Sequence, residues 1–294
     1  MENFNSSPEF YLVTTDHLEE AIWFKDDDDY RMGMNLVATL HWILHIDIMA
    51  FILMSNHVHF VLSCIATEAR RFIDEFKRRY SIYIRNKYGI KEMLRRNAID
   101  IRPLSLSDES FERALAYTLM NCVAAGICLQ PGDYPWGSGS AYFRVKGIEG
   151  TPLSSLSMRK IESITHSRIR MAGNYMVTDD GVIDPASYIN TRFVESAFRT
   201  PKRMNYYLQN SSKARIRLQS ESDNMPAFRD QLLSASLPDL CQSLFRKWRV
   251  EELTDLQKGE LLRQLRFRFS ANINQLCRVT GIRYESATEL IDRV

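Results

Sequence analysis

Two histidines one residue apart stand in the stretch Met54-Ser55-Asn56-His57-Val58-His59-Phe60-Val61-Leu62. The residues on either side of the Ser55-Asn56 break are apolar, β-branched or aromatic, the composition of two strands joined by a tight turn. Side chains at i and i+2 of a strand share a face, so the imidazoles of His57 and His59 stand together while Val58 enters the opposite layer. That spacing suits one metal ion. It equally suits two packed histidines, because a pair alone completes no coordination sphere. Farther along, Tyr117 and Asn121 lie four apart in a stretch with helical spacing and share one helical face. A phenol and an amide oxygen are what a divalent-metal site acting on phosphate would use beside two imidazoles. The other reading is that Leu115, Tyr117, Leu119 and Asn121 are buried and capping parts of an amphipathic helix, and periodicity does not separate the two.

The elements that must position these groups can be traced in order. Glu9 to Thr15 alternates as a first strand. Asp26 to Asp29 supplies a cap and first-turn acids for a helix from Asp27 to Leu44. Ile46 to Met54 and His57 to Ser63 form strands two and three, and Thr67 caps a helix from Glu68 to Tyr88, which Gly89 ends. Asn97 to Leu104 is a fourth strand that Pro103 confines to an edge or an end. A helix from a cap at Ser107 or Asp108 to a stop at Gly126 carries Tyr117 and Asn121. The order βαββαβ predicts an α+β fold: a ferredoxin-like antiparallel sheet with helices on one face, the His pair on an inner strand, and an added tyrosine-bearing helix.

Composition sets the outer limits. The chain has 294 residues, 45% of them hydrophobic and 25% charged, enough for one large core or two smaller ones. No run approaches the roughly 18 to 20 apolar residues of a membrane span, and the polar stretch Met1 to Pro8 has no export-signal core, so a soluble, cytoplasmic protein is expected. The five cysteines are scattered with no Cys-x-x-Cys pair, which speaks for free thiols. Net charge is +2, but Arg70 to Arg96 holds ten Lys and Arg against three Asp and Glu. Within it Lys77, Arg78, Arg79, Arg85 and Lys87 interleave with Tyr80, Tyr83 and Tyr88, cations for phosphates and rings for bases, or a solvated helix over core tyrosines.

The second half reads as mainly helical: Arg159 to Met171, Pro185 to Phe198 and Lys202 to Leu208. Lys213, Arg215 and Arg217 then lead into a polar linker, Gln219 to Asn224. The last segment, Asn274 to Ile282 and Tyr284 to Arg293, has the pattern of a helix-turn-helix around Gly281, with Arg263, Arg266 and Arg268 ahead of it. Duplex binding and a plain packed helical hairpin both fit. The expected division is 1–147 as a catalytic domain, 148–218 as a helical extension, and 219–294 as a C-terminal helical domain.

Met54-Ser55-Asn56-His57-Val58-His59, followed by apolar Phe60-Val61-Leu62, resembles the signature of the HUH single-tyrosine transposases, the insertion-sequence and REP-associated tyrosine transposases that act on single-stranded DNA. The resemblance extends to Phe10 to Thr14, to Phe24-Lys25-Asp26-Asp27 with Tyr30, to the basic helix Phe76 to Gly89, to Tyr117 through Gly126, and to the closing Asp133-Tyr134-Pro135-Trp136-Gly137-Ser138. It covers roughly the first half of the chain. This chain departs from the family pattern at Cys122, where proline is frequent, and at Met93 to Asn97, where aromatic residues are usual.

The resemblance implies that His57, His59 and Asn121 bind a catalytic Mg²⁺ or Mn²⁺ and that Tyr117 is the nucleophile. It implies cleavage and rejoining of DNA through a 5′-phosphotyrosine link, at hairpin or palindromic ends. A phenol with an unperturbed pKa of about 10 needs such help to attack a phosphodiester at neutral pH. Single-stranded or hairpin DNA is the partner expected of Lys77, Arg78, Arg79, Arg85 and Lys87, duplex DNA that of the C-terminal helices, in a monomer or homodimer. A sequence-specific DNA-binding protein or regulator that keeps the fold without cleaving is the alternative function, and a replication-initiator or relaxase-type nickase is a nearer one.

Overall fold

The computed structural model describes residues 9–15, 22–90, 97–210, 230–269, 271 and 273–292. The N-terminal stretch Met1 to Pro8, the departure at Met93 to Arg96, the cations Lys213, Arg215 and Arg217, and the linker Gln219 to Asn224 lie outside the described residues.

Alternation and β-branching produce four strands, β1 (Phe10–Thr15), β2 (Asp47–Met54), β3 (His57–Ser63) and β4 (Ile99–Leu104). They pair antiparallel in one sheet ordered β2-β3-β1-β4. β3 is interior, so the histidines sit on a strand held from both sides, whereas β4 with Pro103 is an edge. Between the strands run α1 (Asp27–Leu44) and α2 (Ala66–Tyr88). Asp26 caps α1 by accepting the Asp29 N–H at 2.9 Å, and the acids of the first turn face the positive end of the helix dipole. α1 lies close over its own entry segment and the sheet at Gly33, where a Cβ would fall 2.6 Å from the Phe24 ring and 2.8 Å from Leu53.

α2 begins at Ala66 without a Thr67 cap. Ile65 occupies the cap position, and the Glu68 carboxylate reaches back to accept its N–H at 3.3 Å, which satisfies an end donor from within the helix. The single helix expected up to Gly126 is broken at Met120 into α3 (Ser110–Leu119) and α4 (Asn121–Ala124). Asn121 Nδ2 donates to the Tyr117 carbonyl at 2.8 Å, a side chain competing for a helical acceptor.

Helices cover both faces of the sheet, not one. On one face Phe60 meets Phe72 and Phe76 of α2 edge-on, with ring centroids 5.1 and 5.5 Å apart. On the other, Phe10 packs against Phe111 of α3 at 4.9 Å. β3 is buried from His57 through Leu62, a pattern that requires cover on both sides. Each fully buried phenylalanine contributes roughly 2–3 kcal/mol relative to exposure.

The chain also closes the β2 edge. Leu53 N–H donates to the Trp136 carbonyl (2.9 Å) and Ser138 N–H to the Phe51 carbonyl (3.0 Å). Gly137 lies between them with no room for a side chain, a Cβ there falling 2.9 Å from the Phe51 oxygen. An exposed edge would otherwise invite pairing with another chain.

Two helices of the second half are shorter than their periodicity suggests. α5 (Met158–Thr165) stops at His166, which has a φ of 50°. Pro185 to Phe198 divides into a 3₁₀ turn and α6 (Thr191–Phe198), capped by Asn190. α7 covers 201–210. This region shares the core of the sheet, which is continuous from Phe10 to Tyr207. Phe193 of α6 sits 5.1 Å from Phe10, on the α3 side of the sheet. Asn35, buried on α1, donates to the carbonyls of Ile164 and Gly181 and accepts the Ile183 N–H at 2.8 Å.

A second core gathers α8 (Asp230–Phe245), α9 (Asp255–Phe269), α10 (Ile273–Thr280) and α11 (Tyr284–Asp292) around Leu233, Leu240, Leu261, Leu265 and Leu276. Arg268, expected to face duplex DNA, is instead 1% exposed. Its guanidinium donates to Asp27 Oδ1 (2.6 Å), to the Lys25 carbonyl (3.0 Å) and to Gln264 (3.0 Å). It docks the helical unit against the start of α1. No helix among the described residues is long and apolar enough to cross a membrane.

Candidate active site

Four antiparallel strands hold the two imidazoles on the face that α3 covers. His57 and His59 are buried, with ring centroids 4.7 Å apart and planes at 83°. Tyr117 projects from α3 onto the same face, its ring 5.2 Å from that of His59 and edge-on at 82°. Tyr117 is half-buried. Three of the groups singled out from the sequence thus form one contiguous cluster, built from β3 and α3. Asn121 is buried at the start of α4 and bound through its Nδ2 to the Tyr117 carbonyl, one turn beyond the phenol's own residue.

Asn56 is a part of this cluster that sequence reasoning passed over as a turn residue. It is buried, and its Oδ1 lies 2.7 Å from His57 Nδ1. With Nδ1–H donating to this oxygen, the acceptor lone pair of the imidazole is placed on Nε2, the usual way a neighbouring group orients a histidine ligand. The signal was present: a polar residue directly before the first histidine in an otherwise apolar run. Thr15, at the end of β1, accepts the Val58 N–H at 3.0 Å and fixes the backbone between the two histidines.

Among the described residues no group of three or more His, Cys, Asp and Glu side chains could hold a metal ion. A metal here would rest on two imidazoles and the Asn121 amide. That donor set fits Mg²⁺ or Mn²⁺ chemically, a mixed nitrogen and oxygen set with several positions of an octahedral ion left for substrate and water.

The cations of α2 are engaged differently from the expectation of a wet phosphate-tracking stripe. Lys87 donates to Asp26 and Asp29 at 2.7 and 2.8 Å. Arg78 and Arg79 share Glu75 at 2.8 and 3.2 Å, and the Arg78 hydrogen bond heads the causes that hold the Glu75 carboxyl below its ordinary range. Lys77 donates to the Asn97 carbonyl. Arg85 is exposed. The Lys87 pairings were not legible because Asp26 and Asp29 lie some sixty positions before it, whereas Glu75 is only three and four residues before Arg78 and Arg79.

The tyrosines of α2, Tyr80, Tyr83 and Tyr88, are locked. Tyr80 is fully buried with its hydroxyl on the Trp23 carbonyl, and Tyr83 and Tyr88 donate to Asp29. Burial, reinforced by the aspartate charges, pushes all three phenols up, so they stay protonated.

Fold and site together define an α+β protein whose antiparallel sheet presents an imidazole pair to a tyrosine on a covering helix. No protein-family model matches the sequence, and no curated protein matches it significantly. Among solved structures, a REP-associated tyrosine transposase bound to a REP hairpin aligns with 13% identity over 47% of this chain and 82% of that one, at a TM-score of 0.35. That likeness is too slight to assign a family.

Proposed function

We propose that this chain is a metal-dependent single-tyrosine DNA strand transferase of the HUH kind, with Tyr117 as nucleophile. The observation that carries the reading is the edge-on contact of Tyr117 with His59, beside His57, on an interior strand. On this reading the sheet is ferredoxin-like, its order β2-β3-β1-β4 being that of a split βαβ fold. Tyr117 Oη attacks the phosphorus of a single-stranded or hairpin DNA, the bond to the 3′ oxygen breaks, and the departing oxygen takes up a proton as a 3′-hydroxyl. The phosphate remains on the tyrosine as a 5′-phosphotyrosine ester, so the energy of the broken bond is kept for rejoining and no nucleotide cofactor is needed. His57, His59 and Asn121 would hold Mg²⁺ or Mn²⁺, which when bound neutralises phosphate charge and orients the scissile bond. Asn56 keeps His57 in the tautomer that presents Nε2.

Duplex binding by α10 and α11 is not carried into this reading. The exposed surface of α11 bears Glu285 and Glu289, and Arg278 of α10 is paired with Asp230 at 2.6 Å. The function is tested by incubating the protein with a labelled hairpin oligonucleotide and Mn²⁺ and resolving covalent adducts under denaturing conditions. An adduct lost in Tyr117→Phe and in His57→Ala supports it. DNA binding without an adduct in the wild type would make the chain a non-cleaving DNA-binding protein, and an adduct that persists in Tyr117→Phe would move the nucleophile elsewhere.

A further inference from the structure

The turn that follows α8 carries the run Arg246-Lys247-Trp248-Arg249. Trp248 is 59% exposed, whereas Trp23 and Trp136 are 0% and 7% exposed. A large indole left in water between solvent-facing guanidiniums offers a surface on which a planar ring can stack. The loop is also built, not slack. Arg246 takes a left-handed φ of 57° and donates its N–H to the Gln242 carbonyl at 3.0 Å, ending α8. Lys247 turns inward, its ammonium donating to the Glu252 carbonyl (2.6 Å) and to Gln257 Oε1 (3.0 Å). Val250 enters the second core. Trp248 and Arg249, between these two anchors, and Arg246 before them face solvent.

We propose that residues 246–249 bind single-stranded nucleic acid, with an unpaired base stacked on the Trp248 indole and the adjoining phosphates on Arg246 and Arg249. An indole stacks on any base without reading its sequence, and flanking guanidiniums add charge to the backbone. The arrangement of charge favours this occupant over an apolar partner: solvent-facing guanidiniums, Arg246 and Arg249, flank the indole on both sides in sequence, and the exposed Glu251 and Glu252 follow beyond them. Because those carboxylates offset part of the charge, stacking leads and the phosphate contribution is modest. The site lies in the helical unit, apart from Tyr117. The choice of DNA as the polynucleotide rests on the proposed function, while stacking itself requires no cleavage.

The test is a fluorescence titration of the full chain, in the Tyr117→Phe background, with a short oligothymidylate at low salt. Quenching of the red, iodide-accessible tryptophan emission is expected, and Trp248→Phe should abolish it. By anisotropy of a labelled oligonucleotide, Trp248→Ala should weaken binding by about tenfold or more. The double variant Arg246→Gln with Arg249→Gln should lower the slope of log affinity on log salt by about one to one and a half. Unchanged melting temperatures would confirm that the variants fold. Quenching that survives Trp248→Phe, no quenching at any oligonucleotide concentration, or a Trp248 signal that responds only to protein concentration would overturn the proposal, the last in favour of a contact between copies through Trp248 and the exposed Leu256. Intact quenching with no covalent adduct in the wild type would reject strand transfer and leave the stacking site standing.

Discussion

Tyrosines meet polar side chains on both faces of the sheet, and the two arrangements behave as opposites. On the α3 face, Tyr117 is half-buried and touches an imidazole that stands beside a second one. On the α2 face, Tyr80, Tyr83 and Tyr88 surround Asp29, which is fully buried, and each hydroxyl is already donated to a carbonyl or carboxylate. In the first arrangement Tyr117 keeps partial exposure to solvent beside the imidazole pair. The second is a network whose members satisfy one another, and its cations neutralise carboxylates of the same chain. Both regions contain tyrosine, but one sets it beside imidazoles and the other beside carboxylates and Lys87, so partners and burial distinguish the proposed site from a network that holds the fold.

The largest expected effect that would break this contrast is on activity. Tyr117→Phe should cut adduct formation by on the order of a thousandfold or more, with little change in melting temperature, whereas Tyr80→Phe and Tyr83→Phe should leave the adduct in place and lower stability by about 1 kcal/mol each. Next, Asp29→Ala removes the acceptor shared by Lys87, Tyr83, Tyr88 and the Lys25 N–H. Thermal or denaturant unfolding should register a loss of roughly 3 kcal/mol, and any folded fraction should still form the adduct. Asn56→Ala should weaken metal-dependent activity about 10- to 100-fold through loss of His57 orientation, measurable as a shift in the Mn²⁺ concentration needed for half-maximal adduct.

The smallest effect concerns pH. Burial raises the Asp26 carboxyl, but Lys87 and the Asp29 N–H more than offset this, and it sits below its ordinary value. A lowered carboxylate stabilises the fold above its unfolded pKa and loses that contribution as pH falls through its folded one, below about pH 4. Asp29 is shifted upward by burial and by the Asp26 charge, so its contribution runs the other way. Lys87→Met removes the cation common to both and should move the acid-unfolding midpoint to higher pH, which circular dichroism can follow.

Local signals were sufficient for much of the fold. The limits of α1 follow from the Asp26 cap and its acidic first turn, and β3 from the alternation that sets His57 and His59 on one face of it. The helical spacing around Tyr117 put the phenol on a helix but did not fix on which face of the sheet that helix lies. Contacts distant in sequence were not legible. Lys87 reads as a wet cation until Asp26 and Asp29 are beside it, and Arg268 reads as a DNA contact until Asp27 and the Lys25 carbonyl receive it. The break at Met120 depends on where a single amide hydrogen bond is made, which periodicity does not encode. Cover on both sheet faces was not legible: the element order predicted helices on one face, and the cover that α3 gives the other emerges only from tertiary packing.

The most direct measurement of the contrast between the two faces is to digest the adduct formed with a hairpin oligonucleotide and Mn²⁺ and to locate the nucleotide-bearing residue by mass spectrometry. The expected result is one modified peptide, with the phosphate ester on Tyr117. Modification at Tyr80, Tyr83 or Tyr88, or none at all under conditions where the DNA is bound, would contradict the assignment of chemistry to the histidine face.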